Sequence, residues 1–152
     1  MTDSEDAKRC GVGIRGIAMT VDSFVWLAMF VITTLVVGAA TGQIEETANG
    51  VEANLEGTAG TVAFLGWLGL GIGYHTLLEW RYGKTIGKYL VSIRTVEADG
   101  SALSLRSSLV RNLLRLIDWL PMFYVVGILL VAVSSDHERL GDRIAGTAVV
   151  RT

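Results

Sequence analysis

Two long runs of apolar residues dominate the first half of the chain. Residues 17–40 contain one charged residue, Asp22, and residues 58–78 contain none if His75 is neutral. A helix needs about 20 residues to cross a hydrocarbon core about 30 Å thick, and backbone groups in lipid must form their hydrogen bonds within the segment. The pattern therefore predicts two full membrane-spanning helices, over about residues 14–40 and 58–79.

A cleavable signal peptide is the alternative interpretation of the first run. Gly38, Ala39 and Ala40 are small residues of the kind found at cleavage sites. The apolar part of a signal peptide, however, has only about 7–15 residues. Because this run is longer and contains Asp22, we expect it to remain in the mature protein.

A third apolar region, over about residues 116–134, contains Asp118 and the only proline of the chain, Pro121. Proline removes a backbone donor and disfavours helix in the residue before it. Two arrangements stay open for this region. It forms either a third span or a helical hairpin that breaks near Pro121 and returns to the same side.

Between the second and third apolar regions the pattern changes twice. Residues 89–96 are rich in β-branched residues, and with the Asp99-Gly100 turn pair and the alternating Leu103 and Leu105 they predict a β-hairpin. The segment 148–151 is a candidate further strand beside it. Residues 104–118 predict an amphipathic helix with Ser104 as its N-cap.

The amphipathic helix has one leucine face and one polar face. Arg111, Arg115 and Asp118 lie on the polar face. Such a helix either lies at the membrane interface or leads into the third apolar region. The alternative is an ordinary amphipathic helix whose basic face is solvated.

Composition supports a membrane location. The chain of 152 residues is 51% hydrophobic and only 18% charged, whereas a soluble domain has about a quarter charged residues. We therefore predict a mainly α, helical membrane protein with two full spans, the Pro-broken third region and a small cytoplasmic β-hairpin or sheet. Residues 13–152 form its single membrane domain.

The distribution of basic residues predicts the orientation. The N-terminal segment contains Lys8, Arg9 and Arg15, the loop 41–57 contains no Lys or Arg, and residues 80–115 contain seven. Basic residues are enriched on the cytoplasmic side of membranes. This pattern predicts a multi-pass plasma-membrane protein. Its cytoplasmic parts are the N-terminal tail 1–12 and the C-terminal tail 135–152, and the loop 41–57 is extracellular.

The segment YGKTIGKYL, residues 82–90, resembles a phosphate-binding loop at first sight. The template G-x-x-x-x-G-K-[ST] requires glycines that Leu78 and Tyr82 replace, so a nucleotide site is not predicted. Arg81, Lys84 and Lys88 are instead predicted to form a basic anchor that faces anionic lipid headgroups, at about 1 kcal/mol for each residue.

Asp22 is the most unusual residue of the first span. A carboxylate that faces lipid costs about 2.5–3.5 kcal/mol even on the lenient insertion scale, so such residues face the interior of a helix bundle. Arg111 and Arg115 are its candidate partners. Two roles stay open for the resulting network, a structural ion pair and an ion- or ligand-binding site.

Other chemistry is not indicated. His75 and Glu79 are four residues apart, but they would hold a metal only with further ligands, so a hydrogen-bonded pair is favoured over a metal site. The single cysteine, Cys10, excludes a disulfide within the chain. The sequence has no nucleophile–base motif, and we predict no enzyme activity, no cofactor and no nucleic-acid partner.

Four segments together resemble the RDD family of small integral membrane proteins, which is named for an arginine and two aspartates. The resemblance extends from about residue 13 to the C-terminus. It implies that Arg15 and Asp22 are the arginine and first aspartate of the family, and that Asp142 or Asp118 is the second. The segments are RGIAMTVD (15–22), GKTIGKYLVSIRTVEADG (83–100), RNLLRLIDWLP (111–121) and RLGDRIAGTAVV (139–150).

The resemblance implies transport of an unidentified ligand. Our first hypothesis is accordingly an ion or small-solute transporter that uses the intramembrane Asp and Arg residues. Few apolar elements are available for a transport path, so a homo-oligomer or a membrane partner is expected. The alternative is a membrane scaffold or regulatory subunit whose basic cytoplasmic face binds anionic lipids or a partner.

Overall fold

The computed structural model describes residues 10–118 and 144–152. Residues 23–73 form one compact unit, which we call the hairpin unit, and the other described residues form the second, the terminal unit. The elements in chain order are α1 (Val12–Thr41), β1 (Ile44–Thr47), β2 (Gly50–Ala53), α2 (Gly57–Tyr82), α3 (Ile86–Leu90), β3 (Ile93–Glu97), α4 (Leu105–Asp118) and β4 (Thr147–Arg151).

Helices α1 and α2 confirm the two long apolar helices that the sequence predicts. Their segments Gly13–Thr41 and Gly57–Tyr82 are long and apolar enough to cross a membrane. Large apolar side chains on both helices are exposed, among them Phe24 at 68% and Leu65 at 60%. A helix that is apolar on its exposed side is suited to lipid rather than water.

Aromatic packing holds the hairpin unit together. The indole of Trp67 donates a hydrogen bond to the carbonyl of Trp26 at 3.0 Å, and both Trp26 and Phe30 meet its ring edge to face at centroid distances of 5.4 Å. Strands β1 and β2 form an antiparallel hairpin, with Thr47 opposite Gly50. The hydrophobic pattern predicts only a loop in that segment.

The terminal unit contains a two-stranded antiparallel sheet of β3 and β4, in which Ile93 is opposite Arg151 and Glu97 is opposite Thr147. The expected strand at the C-terminal end is therefore confirmed. The predicted hairpin of residues 89–105 is wrong, because Leu105 begins helix α4. Ser104 accepts a hydrogen bond from the backbone N–H of Ser107 at 3.1 Å and so starts a helix before the chain can return as a strand.

The strand also begins later than predicted. Residues 86–90 form α3, since the side chain of Thr85 accepts a hydrogen bond from the backbone N–H of Lys88 and caps a short helical turn. A small apolar cluster joins the sheet to α1 and to the segment just before it. It consists of Ile93 and Val149 from the strands and of Cys10 and Ala18.

The predicted third apolar region, over residues 116–134, lies mostly outside the described residues. The choice between a third span and a helical hairpin concerns that segment. Asp142 also lies outside the described residues. Asp118 ends α4, and its side chain is likewise outside the described part.

Candidate functional site

Asp22 connects three elements of the terminal unit. Helix α1 places its carboxylate in the interior, where the residue is 4% exposed. One oxygen accepts hydrogen bonds from the Tyr74 hydroxyl and the Gly87 backbone N–H, both at 2.9 Å. The other accepts one from the Thr85 hydroxyl at 2.6 Å. With three donors on one carboxylate, Asp22 holds α1 against the end of α2 and against α3.

The segment around α3 is shaped to reach this carboxylate. The Tyr74 hydroxyl that donates to Asp22 also accepts a hydrogen bond from the backbone N–H of Ile86 at 3.0 Å. A Cβ on Gly87 would overlap the backbone oxygen of Ala18 and lie 3.0 Å from the carboxyl carbon of Asp22. Only glycine therefore lets α3 approach α1 closely enough for its backbone to bind Asp22.

Glu79, near the end of α2, is the centre of a second cluster and is fully buried. Its carboxylate pairs with the Lys88 ammonium at 2.6 Å, Arg111 Nε at 3.2 Å and Arg115 Nη2 at 3.9 Å. The Asn112 amide donates a further hydrogen bond at 3.2 Å. Removing a carboxylate from water costs several kcal/mol, which only close partners of this kind offset.

Lys88 is buried, with 6% of its surface exposed. Its ammonium donates hydrogen bonds to Glu79 Oε1 and to the Thr95 hydroxyl, each at 2.6 Å. Burial lowers the pKa of Lys88 to about 7; Arg111 also lowers this pKa, and Glu79 opposes the change. The expectation that Lys88 faces lipid headgroups is corrected by this burial, because its charge is used inside the protein.

Arg81 and Lys84 differ from Lys88. Arg81 is exposed, and its guanidinium lies over the ring of Tyr82, 5.5 Å from the centroid. Lys84 is half-buried, lies 5.9 Å from the ring centroid of Tyr89 and donates a hydrogen bond to the Thr152 hydroxyl at 3.0 Å. For these two residues, binding to lipid headgroups stays a prediction.

Helix α4 has the two faces that the sequence predicts, but its polar face is not solvated. Ser108, Arg111 and Asn112 are buried at 0–7% exposure. Ser108 donates a hydrogen bond to the backbone carbonyl of Thr76 at 2.9 Å, while Asn112 donates to Glu79. The alternative of an ordinary helix with a solvated basic face is therefore wrong. The buried carboxylate of Glu79 attracts this polar face inward.

A small cavity lies among these residues. Its volume is about 20 Å³, and a cavity needs about 10–15 Å³ to hold one water molecule. The space therefore fits one water or one small ion. Its ionisable lining residues are Arg15, Asp22, Lys88, Arg111 and Arg115.

The structure thus brings together four of the six residues predicted for the polar network, namely Arg15, Asp22, Arg111 and Arg115. The side chain of Asp118 and all of Asp142 lie outside the described residues. Arg15 is buried at 7% exposure and lines the cavity. Within the described part of the chain, no group of three His, Cys, Asp or Glu residues could hold a metal ion.

The sequence pattern does not reveal the central position of Glu79. It indicates this carboxylate only as a partner of His75, whose ring packs edge to face on Tyr74 at 4.9 Å. The available signal was a carboxylate near the end of an apolar run, followed by arginines on the polar face of α4. The hydroxyl of Tyr74 gave no comparable signal, because tyrosine is common at membrane interfaces, and Thr85 gave no such signal either.

The described residues thus contain two helices long and apolar enough to cross a membrane and a buried cluster of charges. The sequence model of the RDD family matches residues 9–146, nearly the whole chain. The chain belongs to the RDD family. Comparison with curated proteins and with solved structures gives no match.

Proposed function

We propose that this chain transports an ion or a small solute across the plasma membrane in exchange for a proton. The observation that carries the proposal is the fully buried Glu79 with Lys88 at 2.6 Å, beside a cavity of about 20 Å³ that Lys88 and Asp22 both line. Ionisable residues within membrane segments are costly and mark ion or proton pathways by default.

Lys88 is the residue that we assign to the proton. Its pKa of about 7 makes both its charged and its neutral form accessible near neutral pH. When Lys88 is neutral, Glu79 keeps Arg111 and Arg115 as partners. The positive charge around the adjacent cavity therefore changes by one when Lys88 releases its proton, and this change would couple proton release to the binding of a small ion there.

Asp22 has a positioning role in this proposal. Its three hydrogen bonds from Tyr74, Thr85 and Gly87 hold α3 in place, and α3 carries Lys88. An ion that bound directly to Asp22 would compete with these donors. The carboxylate therefore sets the location of Lys88 rather than exchanging ions itself.

Oligomerisation and orientation belong to the same proposal. Four described helices, one of them of five residues, are few for a complete transport path. We expect a homo-oligomer or a membrane partner to complete the path. The distribution of Lys and Arg supports a cytoplasmic N-terminus, an extracellular segment 41–57 and a cytoplasmic C-terminus.

The test uses purified protein in sealed vesicles that contain a pH-sensitive dye. A pulse of NaCl or KCl is expected to change the internal pH in wild-type vesicles. Lys88→Arg keeps the positive charge but does not release a proton near neutral pH, so it should abolish the signal. Lys84→Arg is the matched control, since it alters the other lysine of the same segment, and should transport like the wild type.

Two results contradict the proposal. One is a wild-type protein that moves no proton with either salt. The other is a correctly folded Lys88→Arg variant whose flux equals that of the wild type. A Lys88→Met variant provides a further check. It has no ammonium group to release a proton, so it should also give no pH signal.

A second candidate function, a membrane scaffold or regulator, is favoured by Arg81 and Lys84. Both place a cation beside an aromatic ring, Arg81 at the end of α2 and Lys84 just after it, where anionic lipid headgroups would meet them. Anionic lipid added to the protein in neutral detergent should raise the unfolding temperature of the wild type. The increase should be smaller for a variant with Arg81→Gln and Lys84→Gln.

A further inference from the structure

Helix α4 exposes an apolar stripe on the side opposite its buried polar residues. Leu105, Leu109 and Leu113 are 45%, 41% and 45% exposed. Their spacing of four residues places them on one side of the helix, one turn apart. We call these three residues the leucine face.

The rotation of α4 about its axis is fixed from the inside. Ser108 donates a hydrogen bond to the backbone carbonyl of Thr76, and Arg111 and Asn112 both bind Glu79. Turning the leucines inward would remove these partners from a fully buried carboxylate. The outward position of the leucine face is therefore a consequence of the ionic site.

The contacts of α4 also set its depth. Thr76 and Glu79 belong to the segment Gly57–Tyr82, which is long and apolar enough to cross a membrane. They lie six and three residues before its end, which corresponds to about 9 Å and 4.5 Å along the helix axis. Helix α4 therefore contacts α2 along the last turns of a membrane-spanning segment, where acyl chains and headgroups surround the protein.

We propose that the leucine face of α4 contacts the acyl chains of the bilayer, so that α4 is embedded in the membrane beside α2. Its polar side then covers Glu79, and its apolar side separates the ionic site from the lipid. The proposal does not depend on what the site transports, because it follows from the orientation of α4 and from the position of Thr76 and Glu79 in α2.

The experiment places single fluorescent labels on the protein in lipid vesicles. Cys10 is the only cysteine, so the background is Cys10→Ser. Leu109→Cys carries a nitrobenzoxadiazole label on the leucine face. The matched control is Ala102→Cys, an exposed position in the loop just before α4. Vesicles are made of phosphatidylcholine with or without nitroxide groups on the acyl chains.

Nitroxide lipid is expected to reduce the fluorescence of the label at residue 109 at least twofold, with little effect at residue 102. A membrane-impermeant maleimide should react at least tenfold more slowly with the unlabelled Leu109→Cys protein than with Ala102→Cys. Leu113→Cys provides a second position with the same expected results, should Leu109→Cys not fold.

Two outcomes would overturn the proposal. Equal quenching and equal maleimide rates at residues 102 and 109 would show that the leucine face contacts water. An unquenched label at residue 109, together with cross-linking of Leu109→Cys between two chains, would show that a second copy covers the leucine face. Neither outcome bears on proton flux, so a failure here is distinct from a failure of the proposed transport.

Discussion

The hairpin unit and the terminal unit are stabilised by different means, although helices α1 and α2 contribute residues to both. Trp67 of the hairpin unit packs on Trp26 and Phe30. The terminal unit instead buries Glu79 with Lys88 and two arginines. Buried ion pairs are weak stabilisers compared with apolar packing. Their concentration in one unit therefore marks that unit as the candidate site.

The largest expected effect comes from removing the buried carboxylate. Glu79→Gln keeps the shape of the side chain but leaves Lys88 and Arg111 without its negative charge. We expect a loss of about 3–5 kcal/mol in the free energy of unfolding, measured by denaturant titration in detergent. The control is Glu52→Gln on the exposed hairpin β1–β2, which should change stability by less than about 0.5 kcal/mol. Equal stability of the two variants would remove the contrast between the units.

Two glycine substitutions, one in each unit, are expected to give the next largest losses of stability. In the terminal unit, a Cβ on Gly87 would overlap the backbone of Ala18, whereas in the hairpin unit a Cβ on Gly71 would lie 2.6 Å from the ring of Trp26. A helix backbone cannot move as easily as a side chain. Gly87→Ala should therefore cost about 3 kcal/mol and Gly71→Ala about 1 kcal/mol.

The same denaturant titration measures both glycine variants. Gly69→Ala is the control, since nothing in the described part of the chain lies within 4 Å of a Cβ at that position. It should be neutral or slightly stabilising, because alanine favours helix more than glycine does. A larger loss for Gly71→Ala than for Gly87→Ala would contradict the close backbone contact between Gly87 of α3 and Ala18 of α1.

The sequence predicted the helices well because their signals are local. Helices α1, α2 and α4 begin and end within a few residues of the expected bounds, and the apolar runs of α1 and α2 were sufficient to place them. The β1–β2 hairpin was missed although Asn49-Gly50 is a turn signal. The strand at 148–151 was predicted beside β3 although β4 lies about 50 residues further along the chain, but the Asp99-Gly100 turn indicated a nearer partner that does not form.

The site was only partly predictable for a different reason. Helical periodicity shows that α4 has two faces, but it does not show which of them faces the interior. The buried carboxylate of Glu79 binds Arg111 and Asn112 of the polar face, so this face lies inside and the leucines lie outside. The environment of Lys88 was also predicted wrongly. A lysine just after a span resembles a headgroup anchor, and only the structure shows that it binds Glu79 and Thr95.

Asp22 allows a test of whether its role is positional. Asp22→Asn keeps one acceptor oxygen but loses the charge that three donors share, and should lower stability by about 2 kcal/mol. Thr85→Val removes one of those donors and the cap of α3, and should cost about 1 kcal/mol. The two losses should not add, since both act on the same hydrogen bond.

Proton flux in vesicles separates the roles of Asp22. If the carboxylate positions α3, Asp22→Asn and Thr85→Val should reduce flux in the same order as they reduce stability. Complete loss of flux in Asp22→Asn, with full flux in Thr85→Val and equal stability of the two variants, would instead make Asp22 a direct ion ligand.

The smallest expected effect is a pH dependence that the hairpin unit should lack. The pKa of Lys88 is lowered to about 7 in the folded protein, from an ordinary value of 10.5. Between these values the unfolded chain binds more protons than the folded one, so stability rises with pH and the penalty of burying the charge is fully present below pH 7. The rise should be about 1 kcal/mol from pH 7 to pH 8.

The dependence on pH can be assigned to Lys88 by comparing three proteins in the same detergent. The wild type and Lys84→Met should both show the rise in unfolding free energy between pH 7 and pH 8. Lys88→Met should show a flatter profile, because it lacks the group that titrates. If the profile of Lys88→Met has the same slope as the wild type, the pKa of Lys88 is not lowered by burial, and the ammonium stays charged beside Glu79 throughout this range.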